Sequence, residues 1–331
     1  MPRRGQARGE MPAGAADEAR LATAIEALQI DRVTGEVVRA FRGAGIHSIL
    51  LKGPAIARWL YADGSPRPYM DTDLLVPPEE HPSAMAALRQ LGFALELGDE
   101  DTPGWRMNAH EWRRTDGARI DLHRTLVGVG VGPDRLWSVL ARQIEPIWVG
   151  GVKVDSLSGP GRALHVALHA AQHGAWRPQA LEDLGRAVAE TPLDGWAEAA
   201  NLARQLDAVP AFAAGLRLDP RGVEVAARLE LPERGPREVA LRAATPPPGA
   251  LGLEELAHTT SLAAKLKLIG RNLIPSPRFM RVWSPLARRG RLGLAAAYLW
   301  RPLAILLRAG PALIAWLRAR KQSRALPRRA E

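Results

Sequence analysis

The apolar periodicity of this chain changes once, at Pro160. Upstream, short β-branched runs alternate with helical patterns; downstream, every periodic stretch repeats at helical spacing and no strand signal returns. That division predicts an α+β chain: a small mixed sheet with flanking helices, then a mostly helical domain and a basic helical tail. A first helix is expected over residues 19–43, where Leu21, Ile25, Leu28, Val33, Val37 and Phe41 share one face. Strands are expected at 46–51, 70–76, 93–97, 105–113, 118–124 and 147–154, with helices at 55–61 and 79–91. Helices follow at 162–174, 179–191 and 193–207. Pro/Gly punctuation at 232–236 and 246–252 then separates the helical bundle from the basic tail, so four parts are expected. They are a disordered start (1–16) without the apolar core of a secretory signal, an α/β core (17–157), a helical domain (158–250) and a basic, apolar helical segment (251–331).

The chemistry-bearing residues gather in the first half. Leu50-Leu51-Lys52-Gly53-Pro54 reads as a strand turning into a helix, and Met70-Asp71-Thr72-Asp73-Leu74 as the start of a second strand. Residues two apart on a strand point to one face, so Asp71 and Asp73 are expected side by side, with Thr72 and Leu74 facing the other layer. Two such charges repel unless a cation lies between them, and oxygen donors favour Mg²⁺. In Ile120-Asp121-Leu122-His123, Asp121 and His123 share a face of another strand. Three carboxylates on adjacent strands suit two metal ions and phosphoryl or nucleotidyl transfer. The Lys52-Gly53 turn, at a helix N-terminus, is a candidate phosphate seat.

The runs LLKGPAIARWLY, RPYMDTDLLV, ARIDLH, LHVALHAAQHGAW and LEDL together resemble the bacterial uncharacterised nucleotidyltransferase family, within the polymerase-β-like nucleotidyltransferase superfamily. The resemblance covers about residues 20 to 310. It implies a nucleotidyltransferase core in residues 17–157 and an enzyme that uses Mg²⁺ or Mn²⁺ to transfer a nucleoside monophosphate from an NTP to an acceptor hydroxyl. Asp71 and Asp73 are then the metal pair and Asp121 the third carboxylate. The superfamily usually carries Gly-Ser or Gly-Gly before the metal pair, whereas this chain has Lys52-Gly53-Pro54. A serine contact to the triphosphate is therefore absent, and Lys52, Gly53 and Arg67 are the candidate nucleotide-binding residues. Loss of NTP turnover would leave the alternative, an inactive nucleotide- or partner-binding module. The acceptor, whether small molecule, sugar or protein, is not encoded in these motifs.

His165, His169 and His173 recur every four residues, the spacing of zinc sites, but no Glu adjoins the first. They read as a polar stripe that, with His123, faces the cleft. Asp183 matches the resemblance too, and a helix–helix hydrogen bond accounts for it equally.

The net charge of +10 sits at one end. Residues 261–331 hold sixteen Lys and Arg and one acid, so the first 260 residues sum to −5. The uncharged runs 292–300, 302–307 and 309–317 are each shorter than the roughly 18 residues of a membrane crossing, and Pro302 and Pro311 are expected to break the tail into short helices. No transmembrane helix is expected. Arg301 and Arg308 share a helical face, which leaves two readings of residues 285–331: an interfacial helix on an anionic membrane, or a helix packed on the bundle with solvated arginines. No groove-reading motif supports sequence-specific nucleic-acid binding. The chain has no cysteine, which excludes disulfides, thiolate metal sites and cysteine nucleophiles. The expected location is a reducing cytoplasm, with the inner membrane face as the place for the tail.

Overall fold

The computed structural model describes residues 13–98, 101 and 108–324. Its centre is a seven-stranded mixed sheet built from β1 (Ile49–Leu50), β2 (Thr72–Leu75), β3 (Ala94–Leu97), β4 (Ala109–Arg113), β5 (Arg119–His123), β6 (Ile144–Val149) and β7 (Val152–Leu157). The spatial order is β3-β4-β5-β2-β1-β7-β6. β2 lies between β1, which runs antiparallel to it, and β5, which runs parallel. Leu50, Leu51, Leu74 and Leu75 are fully buried, each contributing about 2 kcal/mol of hydrophobic stabilisation.

The two sheet faces carry different layers. Helices α1 (Ala13–Gly43), α2 (Pro54–Leu60) and α3 (His81–Gln90) are the first three of the chain. Leu50, Leu74, Ile120 and Leu122 pack with Val37 and Phe41 of α1 and Leu88 of α3 on one face. Thr34 of α1 hydrogen-bonds Thr72 there, with oxygens 2.8 Å apart. α4 (Pro133–Leu140) and the bundle α5 (Gly159–His173), α6 (Pro178–Glu190), α7 (Leu193–Gln205), α8 (Val209–Leu216) and α9 (Pro220–Arg228) lie on the side that receives Leu51, Leu75 and Leu157. The expected domain boundary falls between β7 and α5, and one apolar cluster runs across it. On that side α5 is the axial element, with ten of its fifteen residues buried.

Three expectations are corrected. The single strand expected at 147–154 is the hairpin β6–β7, turned by Gly150 and Gly151, both at positive φ (56° and 73°). Two adjacent residues at positive φ make the turn that suits hairpin twist. Gly150 is also held by packing, because a Cβ there would lie 2.1 Å from the Asp31 carbonyl oxygen. The disordered start falls outside the described residues up to residue 12, and residues 13–16 already belong to α1. The opening of the strand expected at 105–113 also lies outside the described residues.

The third correction concerns the tail. After α10 (Arg237–Ala243), α11 (Ala250–His258), α12 (Leu262–Leu273) and α13 (Pro277–Trp283), α14 (Gly290–Arg324) is one helix of 35 residues that runs through Pro302 and Pro311. An interior proline costs about 3 kcal/mol, and neighbours of α14 offset it. Tyr298 donates to the Pro275 carbonyl (2.6 Å), Arg301 to that of Asn272 (2.7 Å), and the Trp316 indole to Glu254 (2.6 Å). Ala297, Ala304, Ala312 and Ala319 are buried along the same side. Arg301 is therefore packed, beneath the rings of Phe279 and Trp283, and not solvated. By length and composition α14 could cross a membrane, contrary to the reading of three short runs.

Candidate active site

β2 and β5 pair in register, with Asp73 opposite Asp121 and Leu75 opposite His123. β4 continues the line, because Glu111 pairs with Asp121. A row of three carboxylates thus crosses β2, β5 and β4 on the face turned toward α5. One ligand atom from each of Asp73, Asp121 and His123 lies within 4.8 Å of the others. Asp71 borders this cluster from the residue before β2, where strand alternation no longer sets a side chain's direction.

Lys52 reaches the cluster from the turn after β1, its Nζ 2.7 Å from Asp73 Oδ1. His123 Nε2 donates to the same oxygen at 2.9 Å. Burial alone would raise the Asp73 pKa, but Lys52 and His123 outweigh it and hold the carboxylate well below its usual range. Burial, then the charges of Asp73 and Asp71, push Asp121 the other way, up to about 8. Burial opposes the Lys52 ammonium, yet Asp73, Asp71 and Asp121 together raise its pKa. Asp73 Oδ2 and His123 Nδ1 are buried and accept no hydrogen bond, at a cost of about 1–3 kcal/mol each. Bare buried lone pairs beside an acid whose ionisation is opposed by its neighbours' charges describe a donor set that a divalent cation would complete.

The turn itself depends on Gly53. Its φ of 58° and ψ of −113° lie where a side chain is strained, although there is room for a Cβ, 3.5 Å from the Asp71 carbonyl and the Tyr69 ring. Pro54 then opens α2.

All nine residues expected at the site, Asp71, Asp73, Asp121, Lys52, Gly53, Arg67, His123, His169 and His173, line one cavity of about 700 Å³. They do not all have their charge available. The Arg67 guanidinium, expected on phosphate, is buried against Asp183: Nε donates to Oδ1 at 2.9 Å, Nη2 to Oδ2 at 2.6 Å, and Nη1 to the Gly53 carbonyl at 3.4 Å. Tyr61 and Gln179 donate to the same carboxylate. Arg67 thus ties the Lys52-Gly53 turn to α6. The cavity also holds Glu111, Gln172 and Arg177, which sequence reasoning missed. For Glu111 the alternation with buried His110 and Trp112 was a usable signal.

The histidine stripe lines the cavity without forming a ligand cluster among the described residues. His165 Nδ1 donates to the Leu51 carbonyl at 3.1 Å, which fixes its tautomer. Burial pushes its pKa down to about 3, with Lys52 and His123 in the same sense and Asp73 opposing. Burial, then Arg177 and Lys52, push His173 down to about 4. Both are neutral in the folded protein near pH 7, whereas an unfolded histidine protonates near pH 6.5. Below that pH the unfolded state takes up protons that the folded state refuses, so stability falls as pH drops toward about 4. The loss is about 2 kcal/mol per such histidine between pH 6.5 and 5. Urea unfolding at pH 7 and pH 5 should show a larger drop for wild type than for His165→Gln; equal drops contradict this account of His165.

Residues 9–220 match the model of a family described as uncharacterised nucleotidyltransferase. Among curated proteins no significant match is found.

Proposed function

The chain belongs to the uncharacterised nucleotidyltransferase family, and on that basis we propose that it transfers a nucleoside monophosphate from an NTP to an acceptor hydroxyl. The observation that carries this reading is the in-register pair Asp73 and Asp121, with a bare buried oxygen on Asp73, at the wall of a cavity large enough for a nucleotide. Asp73, Asp121 and Asp71 would hold Mg²⁺ or Mn²⁺, which when bound supplies charge neutralisation for the triphosphate and activation of the attacking oxygen. In the transfer an acceptor oxygen bonds to the α-phosphorus, the α–β phosphoanhydride bond breaks, and pyrophosphate leaves with the electron pair. With the charges of Asp73 and Asp71 offset by a bound divalent ion, Asp121 would be left ionised, and the acceptor's proton would then pass to Asp121. The Gly53 and Pro54 turn keeps side chains away from the phosphates, and Arg177 adds positive charge on the facing wall. A cytoplasmic location, where NTPs are supplied, follows from the same reading.

Lys52 has two positions in this scheme. Without nucleotide it neutralises Asp73; with the carboxylates satisfied, its ammonium turns to the β- and γ-phosphates. Lys52→Met should weaken NTP binding about tenfold to a hundredfold, the worth of one charge-assisted hydrogen bond. Calorimetric titration with each NTP in the presence of Mg²⁺ or Mn²⁺ checks this, and unchanged affinity removes Lys52 from the nucleotide site. Pyrophosphate release in the same mixtures tests the function: release that needs the divalent ion supports transfer, and NTP binding without release supports the inactive-module alternative.

A further inference from the structure

α14 has two unlike long faces. Ala297, Arg301, Ala304, Ala312 and Ala319 point into the protein and are buried. On the opposite side Leu292, Leu299, Leu303, Leu306, Leu313 and Leu317 follow one another at intervals of three, four and seven residues, a single helical stripe. They stand in solvent, Leu292, Leu299 and Leu306 at 88%, 82% and 70% exposure. At 1.5 Å per residue the stripe runs for about 38 Å, and no charged side chain interrupts it. α12 repeats the pattern: Leu262, Leu266 and Ile269 are exposed, none of its residues is buried, and Lys265, Lys267 and Arg271 flank them. An uncovered apolar band of this length is a docking surface.

Charge identifies the occupant. From Thr259 to Arg324 there is no Asp or Glu, while residues 261–324 carry fourteen Lys and Arg. Two copies of so basic a segment repel each other, which disfavours self-pairing through the stripe. The α14 stripe has Arg288, Arg289 and Arg291 at one end and Arg318, Arg320 and Lys321 at the other, with Lys265, Lys267 and Arg271 beside the leucines of α12; this combination matches a bilayer whose headgroups are anionic and whose upper acyl region accepts the leucines. The alanine face of α14 and Arg301 are committed to α11, α12 and α13, which suits a helix lying along a membrane and not one crossing it. We propose that α12 and α14 form a peripheral docking surface for anionic lipid bilayers. Phe279 of α13 lines the catalytic cavity and carries Arg301 of α14 on its ring, so docking holds that cavity near the bilayer surface.

The test is co-sedimentation of the full chain with vesicles of phosphatidylcholine alone or mixed with phosphatidylglycerol. Binding should require phosphatidylglycerol and weaken about tenfold or more in high salt. Leu299→Glu/Leu303→Glu/Leu306→Glu should lower binding by a similar factor with unchanged circular dichroism, these side chains being exposed. Lys265→Gln/Lys267→Gln, which leaves the stripe intact, should weaken binding to the anionic vesicles and make what remains less sensitive to salt. The proposal does not rest on catalysis, so Asp73→Asn should bind vesicles like wild type. It is overturned if wild type ignores vesicles, if it binds both kinds equally, or if it resists extraction by salt and alkaline carbonate as a spanning helix does. A wild-type dimer that the leucine variant converts to monomer, with no vesicle binding, also overturns it and assigns the stripe to a second copy.

Discussion

Asp183→Asn is expected to destabilise the protein by about 3–5 kcal/mol, a large share of the roughly 5–15 kcal/mol that holds a typical domain folded. The reason is geometric. Arg67 and Asp183 are both buried and meet through two parallel hydrogen bonds, and Asp183 also accepts from Tyr61 and Gln179. Removing the carboxylate charge leaves a buried guanidinium with no counterion, which costs more than the pair contributes when intact. Replacing both partners with apolar residues, Arg67→Met/Asp183→Leu, should therefore be less damaging than Asp183→Asn alone. Urea unfolding of the two variants measures the difference. A loss below about 1 kcal/mol for Asp183→Asn would show that water or neighbouring groups relieve Arg67, and that the turn is not held from α6.

Asp73→Asn is expected to abolish metal-dependent pyrophosphate release, a fall on the order of a thousandfold, because charge neutralisation at the reacting phosphate is worth several kcal/mol. The fold should survive. Lys52 keeps Asp71 and Asp121 as counterions, and Asp121, relieved of its neighbour's charge, ionises more readily. A thermal transition within a few degrees of wild type, together with lost turnover, separates the chemical role from a structural one. Equal turnover in the two proteins would remove Asp73 from the metal site.

Asp73 and Asp121 were legible because a strand's period of two fixes which side chains share a face, and because buried Leu74 and Leu122 mark the opposite face. Most of what stayed hidden depends on partners distant in the chain. Alternation with His110 and Trp112 marks the face of Glu111, but its place beside Asp121 is set by the register of β4 against β5. The charge on Arg67 looked available for phosphate because its partner Asp183 lies 116 residues away. The β6–β7 hairpin was missed although Gly150-Gly151 is a strong turn signal, since the apolar run continues on both sides of it. The intrinsic cost of Pro302 and Pro311 inside a helix is offset by the contacts of Tyr298, Arg301 and Trp316 with earlier segments of the chain, which local pattern does not show.

The fate of the nucleotide's phosphates tests nucleotidyl transfer most directly. Wild-type protein, Mg²⁺ or Mn²⁺ and a cell extract as the source of acceptor are incubated with an NTP labelled at either the α- or the γ-phosphate. In nucleotidyl transfer the α-label moves into an acceptor, the γ-label leaves in pyrophosphate, and both events need the divalent ion and Asp73. Transfer of the γ-label to the acceptor, or α-label transfer that persists in Asp73→Asn or without the divalent ion, would contradict it.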